Sequence, residues 1–223
     1  RPGEEANRPV KPDLPEWARL RVPDAPVAAR LSAPSRLLAD KAPVSAPFGA
    51  DRRAALQRGR LIHALLQNLP NLPLPVRADY ARRFLQRAPD LSAADQMEMY
   101  EVTFQTLDHP DFAHIFAPGG RNEAAIVGTL PNGQMINGRV DRLIITPGRV
   151  EIIDYKTDRP APKSADGVDL SYIVQMAAYR AVLQQLYSGE THQVNCTLLY
   201  TDGPVLIPLP DALLSESLNR LPT

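Results

Sequence analysis

The groups most able to do chemistry sit in two short segments, Gly138-Arg-Val-Asp141 and Glu151-Ile-Ile-Asp154-Tyr-Lys156. In an extended strand, side chains alternate between faces, so Val150, Ile152, Asp154 and Lys156 share one side. That side begins apolar and ends in a carboxylate and an ammonium, a pair that is costly to bury without partners. A strand leaving the core and entering a polar cleft accounts for the pattern. Asp141 lies on the preceding strand, and pairing across Pro147-Gly148 sets residues 141 and 154 opposite each other. Two carboxylates and a lysine at one strand end suit phosphodiester hydrolysis. Hard oxygen donors select Mg2+, with Mn2+ also admissible. Lys156 is placed to position or help deprotonate an attacking water and to offset charge on phosphorus. Taken alone, the Asp-x-Lys spacing fits a strand-end salt bridge better, and Asp141 is what shifts the balance.

Other polar residues are less specific. His63 lies on the apolar face of a helix, where a lone histidine is usually a satisfied core residue. Gly59, one turn earlier, costs helix stability, and its missing side chain lets another backbone come close or packs a helix. Arg52, Arg53, Arg58 and Arg60 suit phosphate contacts and equally suit a solvated helix face. His109, His114 and His192 have no clear partner and read as structural or exposed.

The elements that must hold these groups follow from periodicity. Residues 1–50 are proline-rich, which predicts an extended linker or strap. Trp17, Leu20, Leu37 and Leu38 are its candidate anchors, with Ser35 capping one turn. Arg52 to Leu69 has helical spacing, with Ala55, Leu56, Gly59, Ile62, His63 and Leu66 on one face. Val76 to Arg87 reads as a second helix with Tyr80, Phe84 and Leu85 inward. A third, capped by Ser92, runs to Leu107 with Met97, Tyr100, Val102 and Phe104 as core candidates. Asp111 to Phe116 is a short helix.

The period then changes to that of strands. Glu123–Leu130, Gln134–Thr146 and Arg149–Lys156 are strands joined by tight turns at Pro131-Asn132-Gly133 and Pro147-Gly148, an antiparallel meander. After a polar loop, Leu170–Tyr187 is a helix whose position allows a parallel crossover. Gln193–Thr201 and Val205–Leu209 are further strands, and Asp211 can cap a terminal helix. The expected fold is α/β, a mixed sheet flanked by helices. The expected division is a strap over 1–50 and one domain over 51–223, with a helical part over 51–118 and a sheet core over 119–223.

Composition bounds the reading. The 223 residues include 44% hydrophobic and 22% charged residues, enough apolar content for a real core. Formal net charge is zero, which counts mildly against nucleic-acid binding unless a local basic stripe offsets an acidic site. The single Cys196 cannot form an internal disulfide or a cysteine-ligated zinc or iron–sulfur site. With no secretory signal and no stretch of ~20 apolar residues, a reducing cytoplasm without membrane attachment is the expected compartment. The chain starts at Arg1, as expected of a fragment or a processed product. No Gly-rich Lys-Ser/Thr phosphate loop is present, so an ATP-driven motor would have to lie outside this chain.

In order, Gly59-Arg-Leu-Ile-His63, Gly138-Arg-Val-Asp141, Asp154-Tyr-Lys156 and Gln175-Met-Ala-Ala-Tyr179 resemble the successive motifs of RecB-like nucleases of the PD-(D/E)XK superfamily. The proline-rich lead-in with Pro34-Ser-Arg-Leu37 resembles the approach to the nuclease domain of AddA helicase–nuclease subunits. The resemblance implies a PD-(D/E)XK fold, with His63, Asp141, Asp154 and the backbone carbonyl of Tyr155 as ligands of Mg2+ or Mn2+ and Lys156 as the catalytic lysine. Gln175 and Tyr179, one helical turn apart, would support the site or contact DNA, with Gly59, Arg58 and Arg60 nearby. Glu123 matches loosely an acid on the first strand. It further implies an exonuclease module acting on single strands in double-strand break repair, on the same polypeptide as a helicase and beside an AddB-like subunit. Two alternatives stay open: a non-catalytic DNA-binding or docking module that keeps the fold, and a nuclease of RNA or of particular DNA structures.

Overall fold

The computed structural model describes residues 33, 34, 37, 50–187 and 193–221, those at 50–52 by backbone alone. Four helices come first: α1 (Ala50–Asn68), α2 (Leu74–Gln86), α3 (Ala93–Leu107) and the single turn α4 (Ala113–Phe116). Ser92 opens α3 through a reciprocal capping box with Asp95, and Pro75 lies in the first turn of α2, where a proline needs no backbone N–H partner. Strands β1 (Arg121–Thr129), β2 (Met135–Thr146) and β3 (Arg149–Lys156) follow as the expected meander. Then come α5 (Leu170–Leu186), β4 (Gln193–Tyr200), β5 (Val205–Leu209) and α6 (Asp211–Asn219).

The sheet has the order β1-β2-β3-β4-β5. The pair β3–β4 is parallel and the other three pairs are antiparallel. The parallel pair exists because α5 carries the chain back across the sheet, the crossover geometry of a strand–helix–strand unit. Asp169 starts that helix by accepting the Ser171 N–H at 2.7 Å.

Two cores result, one on each face. Val150 and Ile152 of β3 join Ile173, Met176, Tyr179 and Val182 of α5. Ile153 and Tyr155 of the same strand join Ile62, Leu65 and Leu66 of α1 together with Leu85, Met99 and Ile115. The central strand is therefore apolar on both sides, as expected where helices cover both faces. Of the N-terminal region, Leu37 is buried in the α5-side core. Trp17, Leu20, Ser35 and Leu38 lie outside the described residues.

Some expected core positions are not core. Leu56, Met97 and Tyr80 are 54%, 58% and 37% exposed, and Ala55 is exposed as well. In α3 the fully buried face is Met99, Thr103, Thr106 and Leu107, with Tyr100, Val102 and Phe104 partly buried against the same core. The two threonine hydroxyls donate to their own helix, at Met99 O and Val102 O, and so can be buried without other partners. In α1 only the later turns reach the sheet, which leaves the first turns projecting. At the start of α6 the cap position is Pro210, and Asp211 is the first helical residue, paired with Arg180 at 3.0 Å.

The helical part is fastened to the sheet through Arg142, which is 1% exposed. Its Nε donates to Ile115 O at 2.8 Å, Nη2 to Ala117 O at 2.7 Å and Nη1 to Asn122 Oδ1 at 2.6 Å. A buried guanidinium is tolerable only because these acceptors are all met. Arg142→Met should destabilise the chain by about 3 kcal/mol or more, since it strands buried carbonyls. Chemical denaturation would measure the loss, with Arg142→Lys recovering only a part of it.

Candidate active site

The β2–β3 ladder stops at Arg142 opposite Ile153. Beyond that point Tyr155 has no backbone partner on β2, and the Asp141 side chain takes its place. Asp141 Oδ2 accepts the Tyr155 N–H at 2.6 Å. The N–H and C=O of one strand residue point the same way, so the Tyr155 carbonyl faces the same gap. On the other side β3 stays paired, with Thr201 N donating to Lys156 O at 2.9 Å.

The break has a cause in β2 and β1. Asn122 pairs with Arg142 and Ala124 with Val140, so Glu123 and Asp141 drop out of the ladder together. Glu123 sits at φ +49°, a left-handed conformation that costs a non-glycine residue about 1–3 kcal/mol. Val140 and Leu143 both face the α5-side core although they are three residues apart, so the alternation slips by one residue at Asp141. The register is the same on either side, so one residue leaves the ladder on each strand and none is inserted, and this interruption turns Asp141 toward β3.

Asp154 and Lys156 face the α5 side, as their spacing implied. Asp154 is 5% exposed, and its Oδ2 lies 2.6 Å from Lys156 Nζ. Its other oxygen accepts no hydrogen bond from the described residues. Lys156 Nζ also donates to Gln175 Oε1 at 3.5 Å and stands 3.7 Å from the centre of the Tyr172 ring. Tyr172 in turn donates to Asp158. Tyr172 escaped the sequence reading, although it lies three residues before Gln175 and so on the same helical face.

His63 comes from α1 on the opposite face and reaches the same gap. Its Nδ1 is 3.4 Å from Asp141 Oδ1, and its ring meets that of Tyr155 edge-on. Burial disfavours the charged imidazole, yet the hydrogen bond and charge of Asp141 outweigh it and raise the His63 pKa. Burial and then the neighbouring Asp141 also raise Asp154 and Glu123, against the pull of Lys156 on the first and Arg139 on the second. The gap is thus crowded with carboxylates that disfavour one another's charge.

That crowding is what a divalent cation would relieve. The donor set, carboxylate oxygens with one imidazole and one backbone carbonyl, suits a hard ion in kind. Neighbouring ligands of an octahedral Mg2+ lie about 3 Å apart, close to the His63–Asp141 separation. Among the described residues no three His, Cys, Asp or Glu side chains are gathered into a ready-made cage, and Asp154 leans on Lys156. The donors therefore fit such an ion by chemistry and neighbourhood, with Asp154 needing to turn from its lysine.

The remaining named residues divide. A Cβ on Gly59 would lie 2.9 Å from Thr157 Oγ1, so the missing side chain admits the loop after β3. A Cβ on Gly138 would lie 2.5 Å from Tyr179 Oη, whose hydroxyl donates to Arg139 O at 2.8 Å. Tyr179 thereby holds β2 just before that interruption. Arg60 and Arg53 are exposed, and the side chain of Arg52 lies outside the described residues, as does His192. Arg58 is not free for phosphate: it forms a two-pronged bond to Glu98, at 2.8 and 3.1 Å, and approaches Thr157 O. Arg159 joins Glu98 from the loop. His109 stacks on Phe112, and His114 lies 3.9 Å from Glu151, both away from the gap.

A family model of the PD-(D/E)XK nuclease superfamily matches residues 36–213. The chain belongs to the PD-(D/E)XK nuclease superfamily. Nucleases of this superfamily typically use divalent metals. Among solved structures, one from Eubacterium rectale, named as a candidate exonuclease, is similar with a TM-score of 0.51 at 17% identity. The match covers 79% of this chain and 65% of that one, so the chain spans about two thirds of that protein's length. At that identity the likeness speaks for the PD-(D/E)XK fold alone. A second, SSO0001, is 14% identical over 74% of this chain and 83% of its own, with a TM-score of 0.29, too low to carry weight. Curated proteins include no match. Among the described residues no helix is long and apolar enough to cross a membrane.

The Arg58–Glu98–Arg159 cluster ties α1 and α3 to the loop that follows Lys156. Burial raises the Glu98 pKa, but the hydrogen bond and charge of Arg58, aided by Arg159, outweigh it and hold the carboxyl below its ordinary 4.5. A lowered carboxyl contributes stability that is complete above its unfolded pKa and is lost as pH falls through the lowered one. Glu98→Gln should therefore melt at a lower temperature at neutral pH, and its melting temperature should fall less steeply than that of the parent between roughly pH 5 and 3.

Proposed function

We propose that the chain is a metal-dependent DNA nuclease domain that hydrolyses phosphodiester bonds with Mg2+, or Mn2+ in its place. The observation that carries this is the opened β2–β3 ladder, where Asp141 replaces a backbone partner and faces both His63 and the end of the Asp154–Lys156 strand. His63, Asp141, Asp154 and the Tyr155 carbonyl would hold the ion. Such an ion, when bound, polarises the scissile phosphate and makes water a stronger nucleophile at neutral pH.

The chain's own groups then have distinct tasks. Asp154 and Asp141 approach from adjacent strands, which fixes the spacing of two ligands without relying on a loop. Lys156 is held by Asp154, Gln175 and the Tyr172 ring, so its ammonium is oriented before substrate arrives. Turned toward a phosphate, it offsets charge growing on the phosphoryl oxygens and positions the attacking water. Glu123, beside Asp141, is placed to hold a second water or accept its proton. Gln175 and Tyr179 keep the lysine and β2 in register from α5.

The finer setting follows from motif resemblance: a cytoplasmic exonuclease module for single strands, joined to a helicase on the same polypeptide and working beside an AddB-like subunit in double-strand break repair. A second reading, a binding or docking module that keeps the fold without cutting, is favoured by one feature, the engagement of Asp154 by Lys156 in place of a ready-made cage.

Cleavage of a labelled single-stranded oligodeoxynucleotide decides between them. With Mg2+ or Mn2+ the parent chain should cut, chelation should abolish cutting, and Asp154→Ala and Lys156→Ala should each lose about 100-fold or more. Cutting that survives both substitutions would overturn the assigned residues. In calorimetry, Mn2+ should bind the parent and not Asp141→Ala; absence of binding to the parent would favour the non-cutting module.

A further inference from the structure

The exposed first turns of α1 face α2 across a groove that the catalytic reading does not use. Its cavity is about 700 Å3 and is lined by Arg53, Leu56, Arg60, Phe84 and Arg87 among others. The charged groups facing it are Arg53, Arg60 and Arg87, against a single carboxylate, Asp90. None of those three arginines has an ion-pair partner among the described residues. This is a local basic stripe on a chain of zero net charge.

The groove also has a stacking platform. Phe84 is half-buried, and its ring lies nearly parallel to that of Tyr80, with centroids 6.2 Å apart and planes at 11°. A second hollow of about 370 Å3 continues the groove along α2 past Tyr80, sharing Phe84 and Arg87. There the charges are Arg83 and Asp79, paired with each other at 2.9 Å, so Arg87 is the cation left over. On α2 each ring is thus followed three residues later by an arginine, Tyr80 by Arg83 and Phe84 by Arg87. Rings interleaved with cations are what a flexible polyanion with flat bases requires. An acidic peptide would use the arginines and leave the parallel rings without a partner.

Position connects the groove to the site. Arg60 lies three residues before His63 on α1 and so one turn away on an adjoining face, a rise of about 4.5 Å. Arg53 lies a further two turns back.

We propose that the α1–α2 groove is a track for single-stranded nucleic acid, with phosphates on Arg53, Arg60 and Arg87 and a base stacked on Phe84. This deepens the nuclease reading and rests on it for the substrate class. The track accounts for Leu56 standing exposed at its wall, because bases cover apolar surface as well as aromatic rings.

The test is binding of a fluorescent oligothymidylate to the 223-residue chain in chelator, where no cutting occurs. Phe84→Ala should weaken binding about five-fold or more, and Phe84→Trp should restore it, which separates stacking from misfolding. Arg87→Ala should weaken binding and lower the slope of log affinity against log salt by about 0.7 for each phosphate it no longer neutralises. Unchanged affinity and slope in both variants would overturn the track, as would equal affinity for blunt duplex or equally effective competition by polyglutamate. Altered affinity in the variants together with no cutting by the parent chain under any divalent metal would overturn the nuclease reading and leave the track standing. Cutting by the parent with unaltered binding in the variants would do the reverse.

Discussion

Everything at the site depends on one substitution of hydrogen-bond partners: a carboxylate of β2 takes the place of a backbone carbonyl opposite Tyr155. A buried N–H must find an acceptor, and here Asp141 supplies it from a side chain. The ladder is thereby closed off without the strands continuing together. The chain gains a gap in the middle of a sheet, with a backbone carbonyl and a carboxylate at its edge. A gap at a sheet edge or in a loop would be softer, because fewer neighbours would hold its walls.

Rigid elements converge on that gap from both faces. From the α5 side, Gln175 and Tyr172 hold Lys156, while Tyr179 bonds to β2 at Arg139, an approach open only because position 138 has no side chain. From the helical side, α1 brings His63 to Asp141, and Gly59 on the same helix lets the loop after β3 pass close by. Glycine in a helix costs about 1 kcal/mol relative to alanine, which is tolerated here because Thr157 occupies the space. Arg142 fastens the α4 turn and the start of β1 to the sheet, so the two halves share β3 as a common wall. The PD-(D/E)XK superfamily membership gives this arrangement its chemical context; burial first, and the charge of Asp141 after it, raise the Asp154 and Glu123 carboxyls.

Much of this was legible beforehand. The change of period near residue 120, the Asn-Gly and Pro-Gly turns, and the apolar-then-charged run from Val150 to Lys156 are local signals, and the strand ends follow them closely. The one long helix between strands allowed a parallel crossover, and β4 does lie parallel to β3. The residues that faced the wrong way, Leu56, Tyr80 and Met97, share a different cause. Amphipathic spacing defines a helix face, but which face turns inward depends on what lies beside it. In α3 two threonines meet their own hydrogen bonds within the helix and so can be buried, while Leu56 and Tyr80 stand at the walls of hollows beside α1 and α2. The strap over residues 1–50, apart from positions 33, 34, 37 and the start of α1, lies outside the described residues.

The order of motifs resembled a PD-(D/E)XK pattern, and types and spacing of residues alone determined that a carboxylate and a lysine would share one face of a central strand and that a second carboxylate would arrive from its neighbour. These are consequences of alternation and turn chemistry, which act over a few residues. Only the tertiary structure decided that Arg58 belongs to Glu98 and not to a phosphate, that Tyr172 lies against Lys156, that Glu123 leaves the ladder beside Asp141, and that Arg53 and Arg60 of α1 share a groove with Phe84 of α2. Those facts join residues far apart in the chain, and nothing in local spacing encodes which distant partner a side chain will meet once two cores have closed on a common sheet.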